Sequence, residues 1–288
     1  MASIYMKDSV YKKGFTLIEL LMVIAIIALL SSILVAGISR VREAAHLADA
    51  TSSARAIITA FLLTASDNNG QYMMGYGDAG QTLRPNGFPP ILSSQEHAKR
   101  YPWRLVPYLN DSPEVLYVGE NRNFFKESAG NSAYHTSLYP SFGINSIFVG
   151  GHYDGRKHSP NFTPSQRSRD KTKFPNRFWV LRPADAVEPA KMIVFASSIS
   201  DTDGDGKASG YFKVTPPKSP LSPTWGPYKG GIDPGSMGNV SLEYGGGAMV
   251  ANLDGSVTVL DEEDLRDMRR WSNQAAFYSD KDFNSWNE

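Results

Sequence analysis

Three acids stand at alternate positions in Asp201-Thr202-Asp203-Gly204-Asp205-Gly206-Lys207-Ala208-Ser209. Carboxylates at alternate positions followed by glycine match the first half of a calcium loop, where hard oxygen ligands converge and glycine permits a sharp turn. Asp201, Asp203 and Asp205 would supply carboxylates, Lys207 its backbone carbonyl, and Ser209 its hydroxyl or a water. Phe212 stands where an EF-hand loop carries its bidentate glutamate, so a complete EF-hand is excluded. A solvated acidic turn is the competing reading. The chain has no Gly-x-Ser-x-Gly elbow, no His-Glu-x-x-His and no phosphate-binding Gly-Lys-Ser/Thr loop. His135, His152 and His158 lack ligand spacing and read as polar surface residues, as does His46.

A second acid stands out by its position. Glu19 precedes an uncharged run, residues 20–39, LLMVIAIIALLSSILVAGIS. As a helix this run would span roughly 30 Å, the hydrocarbon thickness of a bilayer. Ahead of it lie Lys7, Lys12 and Lys13 against the single acid Asp8, which keeps the leader cytoplasmic and exports the rest. A secretory signal cleaved near Val35-Ala36-Gly37, or a plain anchor, would account for the run. Neither accounts for Glu19, because a carboxylate near the membrane is costly unless paired. Cleavage between Gly14 and Phe15 would create an amine one helical turn away.

The segment Lys12-Lys13-Gly14-Phe15-Thr16-Leu17-Ile18-Glu19-Leu20-Leu21 resembles the processing site of type IV prepilins and type II secretion pseudopilins. The resemblance implies that a prepilin peptidase cuts after Gly14, that Phe15 is N-methylated, and that the apolar segment is retained. It also implies a filament of this and other pilins, built by an inner-membrane assembly platform. Residues 242–257 are similar to the hairpin of a prepilin subgroup carrying His, nine residues, then Asp-Gly; here Tyr244 occupies the histidine position. Tyr101 to Leu105 and Pro189 to Phe195 also resemble segments of these proteins. Some pseudopilin heads bind calcium through acidic loops, which bears on Asp201–Ser209.

The whole chain sets the frame for these residues. It has 288 residues, 29 Lys+Arg against 29 Asp+Glu, 41% hydrophobic residues and no cysteine. Disulfides, thiolate metal sites and cysteine nucleophiles are thereby excluded. No proline or glycine falls in residues 40–66, and apolar residues recur there at three- and four-residue steps, so the helix is expected to run on until Asp67-Asn68-Asn69-Gly70 stops it. All 18 prolines lie at or after Pro85, marking a change to short strands and turns. Strands are expected at 115–118, 144–149, 178–181, 192–195, 211–214, 248–251 and 256–260. Residues 96–109 read as a helix interrupted by Pro102, and residues 261–271 as one capped helix. Leu253-Asp254-Gly255-Ser256 reads as a type I′ turn. Trp225 and Tyr228 are expected to pin the Pro/Gly-rich segment 215–239 as an ordered surface loop.

The expected architecture is α+β, a long N-terminal helix packed against a head with antiparallel sheet. Its parts are a leader (1–14), a transmembrane half-helix (15–39), an amphipathic half-helix (40–66) and an extracytoplasmic head (67–288). The expected role is a structural filament subunit, not an enzyme, held in the inner membrane by one span and exposed in the periplasm or at the surface after assembly. Seven bases between Arg156 and Arg177 face only Asp170, which admits a polyanion surface or an acidic filament neighbour; a nucleic-acid partner is not the expectation. The rival class is an anchored extracytoplasmic binding protein or enzyme that never polymerises.

Overall fold

The computed structural model describes residues 15–128, 132–150, 179–200, 209–218 and 224–284. Helix α1 runs Leu17–Asp67. It ends where Asn69 and Gly70 take positive φ of 52° and 76°, and the Gly70 N–H donates back to the Ala65 carbonyl at 2.8 Å. This six-to-one bond is a Schellman-type stop in which an asparagine, rather than a glycine, occupies the first left-handed position.

The chain divides into two compact units, Met1–Ala45 and His46–Glu288. In the first, the described side chains are exposed almost all round: Phe15, Leu17, Ile18, Leu20, Leu21, Ile24, Ile27 and Leu30 all present apolar surface. A helix with no polar face needs lipid or other helices around it. Among the described residues no helix is long and apolar enough to cross a membrane. Residues 33–37 and 39 of the uncharged run lie outside the described side chains.

The second unit takes in the C-terminal part of α1 as well as the head. After α1 come a 3-10 turn Glu96–Lys99, α2 (Tyr101–Leu105), further 3-10 turns Val106–Leu109 and Pro113–Leu116, α3 (Glu120–Ser128) and α4 (Ala133–Leu138). Then follow β1 (Phe142–Asn145), β2 (Ile193–Ser197), β3 (Lys213–Val214), β4 (Ala248–Asn252) and β5 (Val257–Leu260), closed by α5 (Glu262–Leu265) and α6 (Asn273–Tyr278). The sheet order is β3-β1-β2-β4-β5. It is mixed rather than wholly antiparallel, because β1 and β3 run parallel while the other pairs are antiparallel.

Side chains alternate across this sheet as strand geometry requires. Met249 and Ala251 face a core shared with Ile57, Ile58 and Phe61 of α1, while Ala248 and Val250 face one containing Trp225, Leu265 and Trp271. A register shift between Ile193 and Phe195 lets both Val194 and Phe195 join the α1 side. The α1 side is rich in rings: Phe61 stacks on Tyr72 at 5.2 Å and meets Phe195 edge-on at 5.6 Å. On the other side the buried Asn145 amide donates to the carbonyls of Ile193 (3.1 Å) and Trp271 (3.0 Å), tying β1, β2 and the C-terminal segment together. Trp225 packs edge-on against Trp271 and donates its indole N–H to the Thr215 carbonyl, and the Tyr228 hydroxyl accepts from Leu242 N–H. These two rings pin the 215–239 segment.

Several expected elements differ. Residues 115–118 form no strand: Pro113 opens a 3-10 turn through Leu116. The strand expected at 144–149 begins two residues earlier and ends at Asn145, whose side-chain carbonyl accepts the Phe148 N–H and turns the chain. In the 178–181 stretch Val180 makes one parallel bridge to Val149, and residue 178 lies outside the described residues. The capped helix at 261–271 breaks after Leu265, because Asp267 accepts the Arg269 N–H at 2.9 Å and starts a new turn. The interrupted helix at 96–109 resolves into α2, with Pro102 in its first turn, flanked by two 3-10 turns. The turn at 253–256 is also of another kind. Only Gly255 has positive φ (89°), its N–H bonds the Asn252 carbonyl at 2.9 Å, and Asp254 accepts from Ser256, giving a three-residue loop with a glycine bulge. The type I′ geometry falls instead at Gly245-Gly246, both with positive φ, between reciprocal Tyr244–Gly247 backbone bonds.

Candidate functional site

Gly14 lies outside the described residues, and Phe15 stands exposed just ahead of α1. Thr16 is the residue before the first helical position, and Glu19 is the third residue of the helix. The Glu19 N–H donates to Thr16 Oγ1 at 3.3 Å, and the Thr16 N–H donates to Glu19 Oε2 at 2.9 Å. This is a reciprocal capping box, which satisfies two backbone donors that a helix start otherwise leaves open. Thr16 Oγ1 also donates to Glu19 Oε2 at 2.9 Å. All these contacts fall on one carboxylate oxygen, and Glu19 Oε1 has no hydrogen-bond partner among the described residues. The capping role was legible in Thr-Leu-Ile-Glu as a Thr-x-x-Glu signature, but the sequence reading drew only on the charge.

A second constellation fastens the C-terminal part of α1 to the head. His46 stacks on Tyr244 with ring centroids 5.3 Å apart and planes 15° from parallel. Gly119, at φ 56°, lies directly against this histidine: a Cβ there would come within 2.6 Å of His46 Nε2. Three residues along the helix, Asp49 pairs with Arg122 at 2.9 Å, and Arg122 also donates to the Tyr117 carbonyl at 3.1 Å. One turn further, the Ser53 hydroxyl donates to the Val115 carbonyl. Burial pushes the Tyr244 phenol well above its ordinary value, and the Glu243 and Asp49 carboxylates push it the same way. The phenol therefore stays neutral throughout the physiological range. His46 is thus a packing residue of the joint. Its partner is nearly two hundred positions away in sequence, and no local pattern announces such a contact.

Of the five residues expected to ligate a metal, Asp201, Asp203, Asp205 and Lys207 lie outside the described residues. Ser209 closes the base of that loop: its carbonyl accepts the Ser200 N–H at 2.7 Å and the Ser200 hydroxyl at 3.1 Å, and the two hydroxyls lie 2.8 Å apart. Ser200 and Ser209 thus lie side by side just beyond β2. Among the described residues no group of three or more acids or histidines is arranged to hold a metal ion. The basic stretch 156–177 lies outside the described residues, with His152 and His158, while His135 is exposed and stacks on Tyr139.

Comparison with known proteins adds one finding. The chain matches the prokaryotic N-terminal methylation motif over residues 10–35. That match takes in Gly14, Phe15 and Glu19, is consistent with a prepilin or pseudopilin family, and supports a type IV pilin-like or pseudopilin precursor. No curated protein and no solved structure matches the chain.

Proposed function

We propose that this protein is a structural filament subunit of a type IV pilus or type II secretion pseudopilus, cut after Gly14 by a prepilin peptidase and methylated at Phe15. The observation that carries the reading is the methylation motif at residues 10–35, which coincides with the start of a helix whose other end is built into the head core. An apolar helix exposed on every side, joined to a head that buries its own continuation, has the construction of a subunit that polymerises through the helix. Before assembly the uncharged run 20–39 holds the precursor in the cytoplasmic membrane, with the head outside the cytoplasm. After assembly neighbouring helices replace lipid, and the inner-membrane platform supplies the work of extraction. No catalytic residue is required. Filaments sheared from cells that express the chain should contain it and carry head epitopes under the electron microscope. A chain found wholly in membranes, in cells that are assembling pili and secretion filaments, favours the anchored binding protein or enzyme instead.

Calcium is proposed for the Asp201–Ser209 loop. Asp201, Asp203 and Asp205 would hold the ion, with the Lys207 carbonyl and the Ser209 hydroxyl completing the set; the support is the ligand spacing and the closed base at Ser200–Ser209. A bound ion would neutralise three clustered carboxylates and stabilise the folded state by mass action. The full-length protein in detergent should therefore melt at a higher temperature in millimolar calcium than in chelator, and Asp203→Ala should remove the difference. Identical melting in both buffers rules the site out.

A further inference from the structure

Arg100 is the only charged residue that is buried among the described residues, at 8% exposure, and it has no carboxylate partner. It sits just before α2, where Arg100 Nη1 donates to the Tyr134 carbonyl at 3.1 Å and to Ser137 Oγ at 2.9 Å. Its guanidinium carbon lies 4.3 Å from the Tyr134 ring centroid and 5.3 Å from that of Phe212. Arg100 Nε is enclosed and has no hydrogen-bond partner. Among the described residues Nη2 makes no hydrogen bond either. One edge of the guanidinium is therefore tied to α4, a ring covers one face, and the Nε–Nη2 edge is left without an acceptor.

Glu96, whose carboxyl feels the Arg100 charge, does not fill that role. Glu96 receives Lys99 Nζ at 2.7 Å and the Tyr76 hydroxyl, and those two bonds are the main reason its carboxyl is held below the usual range; the field of Arg100 contributes least. Two further positive charges among the described residues lie near: Lys99 immediately precedes Arg100 in the chain, and Lys213 Nζ lies 5.8 Å from the Phe212 ring that Arg100 also faces. Burying a cation without a counter-ion costs several kcal/mol, and an unsatisfied buried donor adds to that. A buried donor left without a partner calls for an explanation, and a water or an ion held from outside the chain is one.

We propose that the Nε–Nη2 edge of Arg100 is a binding site for a carboxylate. Guanidinium and carboxylate pair as coplanar forks, two parallel N–H···O bonds in one plane. A flat carboxylate would extend the guanidinium plane beside Tyr134, a residue 46% exposed whose ring lies against the guanidinium. Nε is enclosed, so engaging the second oxygen requires the side chain to shift. The carboxylate source is a small acid or an acidic side chain of a neighbouring molecule; both use the same fork.

The test is a melting titration of the full-length protein in detergent micelles, with sodium acetate as the probe against sodium chloride at equal ionic strength. Acetate should raise the melting temperature saturably, by roughly 3–6 °C once it reaches about ten times its dissociation constant. Arg100→Gln should abolish the saturable rise; if that variant does not fold, Arg100→Lys, which keeps the charge and loses the fork, should weaken it several-fold. Phosphate should give a smaller saturable rise than acetate. An acetate effect that is absent, unsaturable, or unchanged in the folded variants overturns the site, and an equal or larger phosphate effect overturns its assignment to carboxylates. Repeating the titration at tenfold higher protein separates the sources: competition between acetate and protein concentration identifies a neighbouring molecule, and independence identifies a small acid.

Discussion

Glu19→Ala should leave export and the folded head intact while filament assembly fails. In a helical bundle that excludes water an unpaired carboxylate is unfavourable, whereas one paired with a cationic amine is tolerated. The amine created at Phe15 stays basic after one methylation. On the filament reading proposed above, staggered subunits would bring Glu19 of one protomer to the Phe15 amine of its neighbour, and the pair would fix an axial register that apolar packing specifies poorly. The capping box makes this more discriminating. Thr16 occupies Glu19 Oε2, which would leave Glu19 Oε1 to the amine and let cap and ion pair share one side chain. Glu19→Gln retains an acceptor for the Thr16 N–H but loses the charge, and should fail to assemble as Glu19→Ala does. Thr16→Ala loses about 1 kcal/mol of cap and keeps the charge, and should still assemble. Measured as sheared filament at matched protein levels, full assembly by Glu19→Gln would show that the cap, not the charge, is what the helix start requires.

The second large effect concerns the other end of α1. Phe61 is fully buried, stacked on Tyr72 and edge-on to Phe195, so the helix forms one wall of the head's principal core. Phe61→Ala should cost about 3–5 kcal/mol, a large share of the stability of an ordinary domain. For a unit of this size that lowers the melting temperature by roughly 6–20 °C. Leu63, two residues along on the exposed face, should change stability by less than about 0.5 kcal/mol when replaced by alanine. Equal melting of the two variants would contradict a head built on α1. The same packing predicts that a head cut off at residue 67 loses Ile57, Ile58 and Phe61 from its core, which is why the titrations above use the full chain.

What the sequence made legible follows the range of the interactions involved. The end of α1, β2 and the β4–β5 hairpin were readable because periodicity, apolar runs and turn formers act over a few residues. The apolar run at 115–118 could not be told from a strand, since Pro113 sets a 3-10 turn that places Leu116 and Tyr117 in the core equally well. α6 went unread because its signal is one serine: Ser272 caps the helix by accepting from Ala275 N–H, in a segment with no apolar stripe. The His46–Tyr244 stack, the Asp49–Arg122 pair and the Arg100 environment join residues far apart in sequence, so composition and spacing carry no trace of them. At the N-terminus the reverse held. Gly14, Phe15 and Glu19 declare themselves because the N-terminal methylation motif is a contiguous local pattern, complete within residues 10–35.

The most direct measurement is the intact mass and N-terminal sequence of the exported protein. The mature chain should begin at Phe15 carrying one methyl group. Removal of the leader's three lysines and one aspartate, a net +2, takes the formal charge from zero to −2. A start at Ala36, Gly37 or Ile38 would identify an ordinary cleaved signal, and an unprocessed Met1 a plain anchor; either would contradict the filament-subunit account.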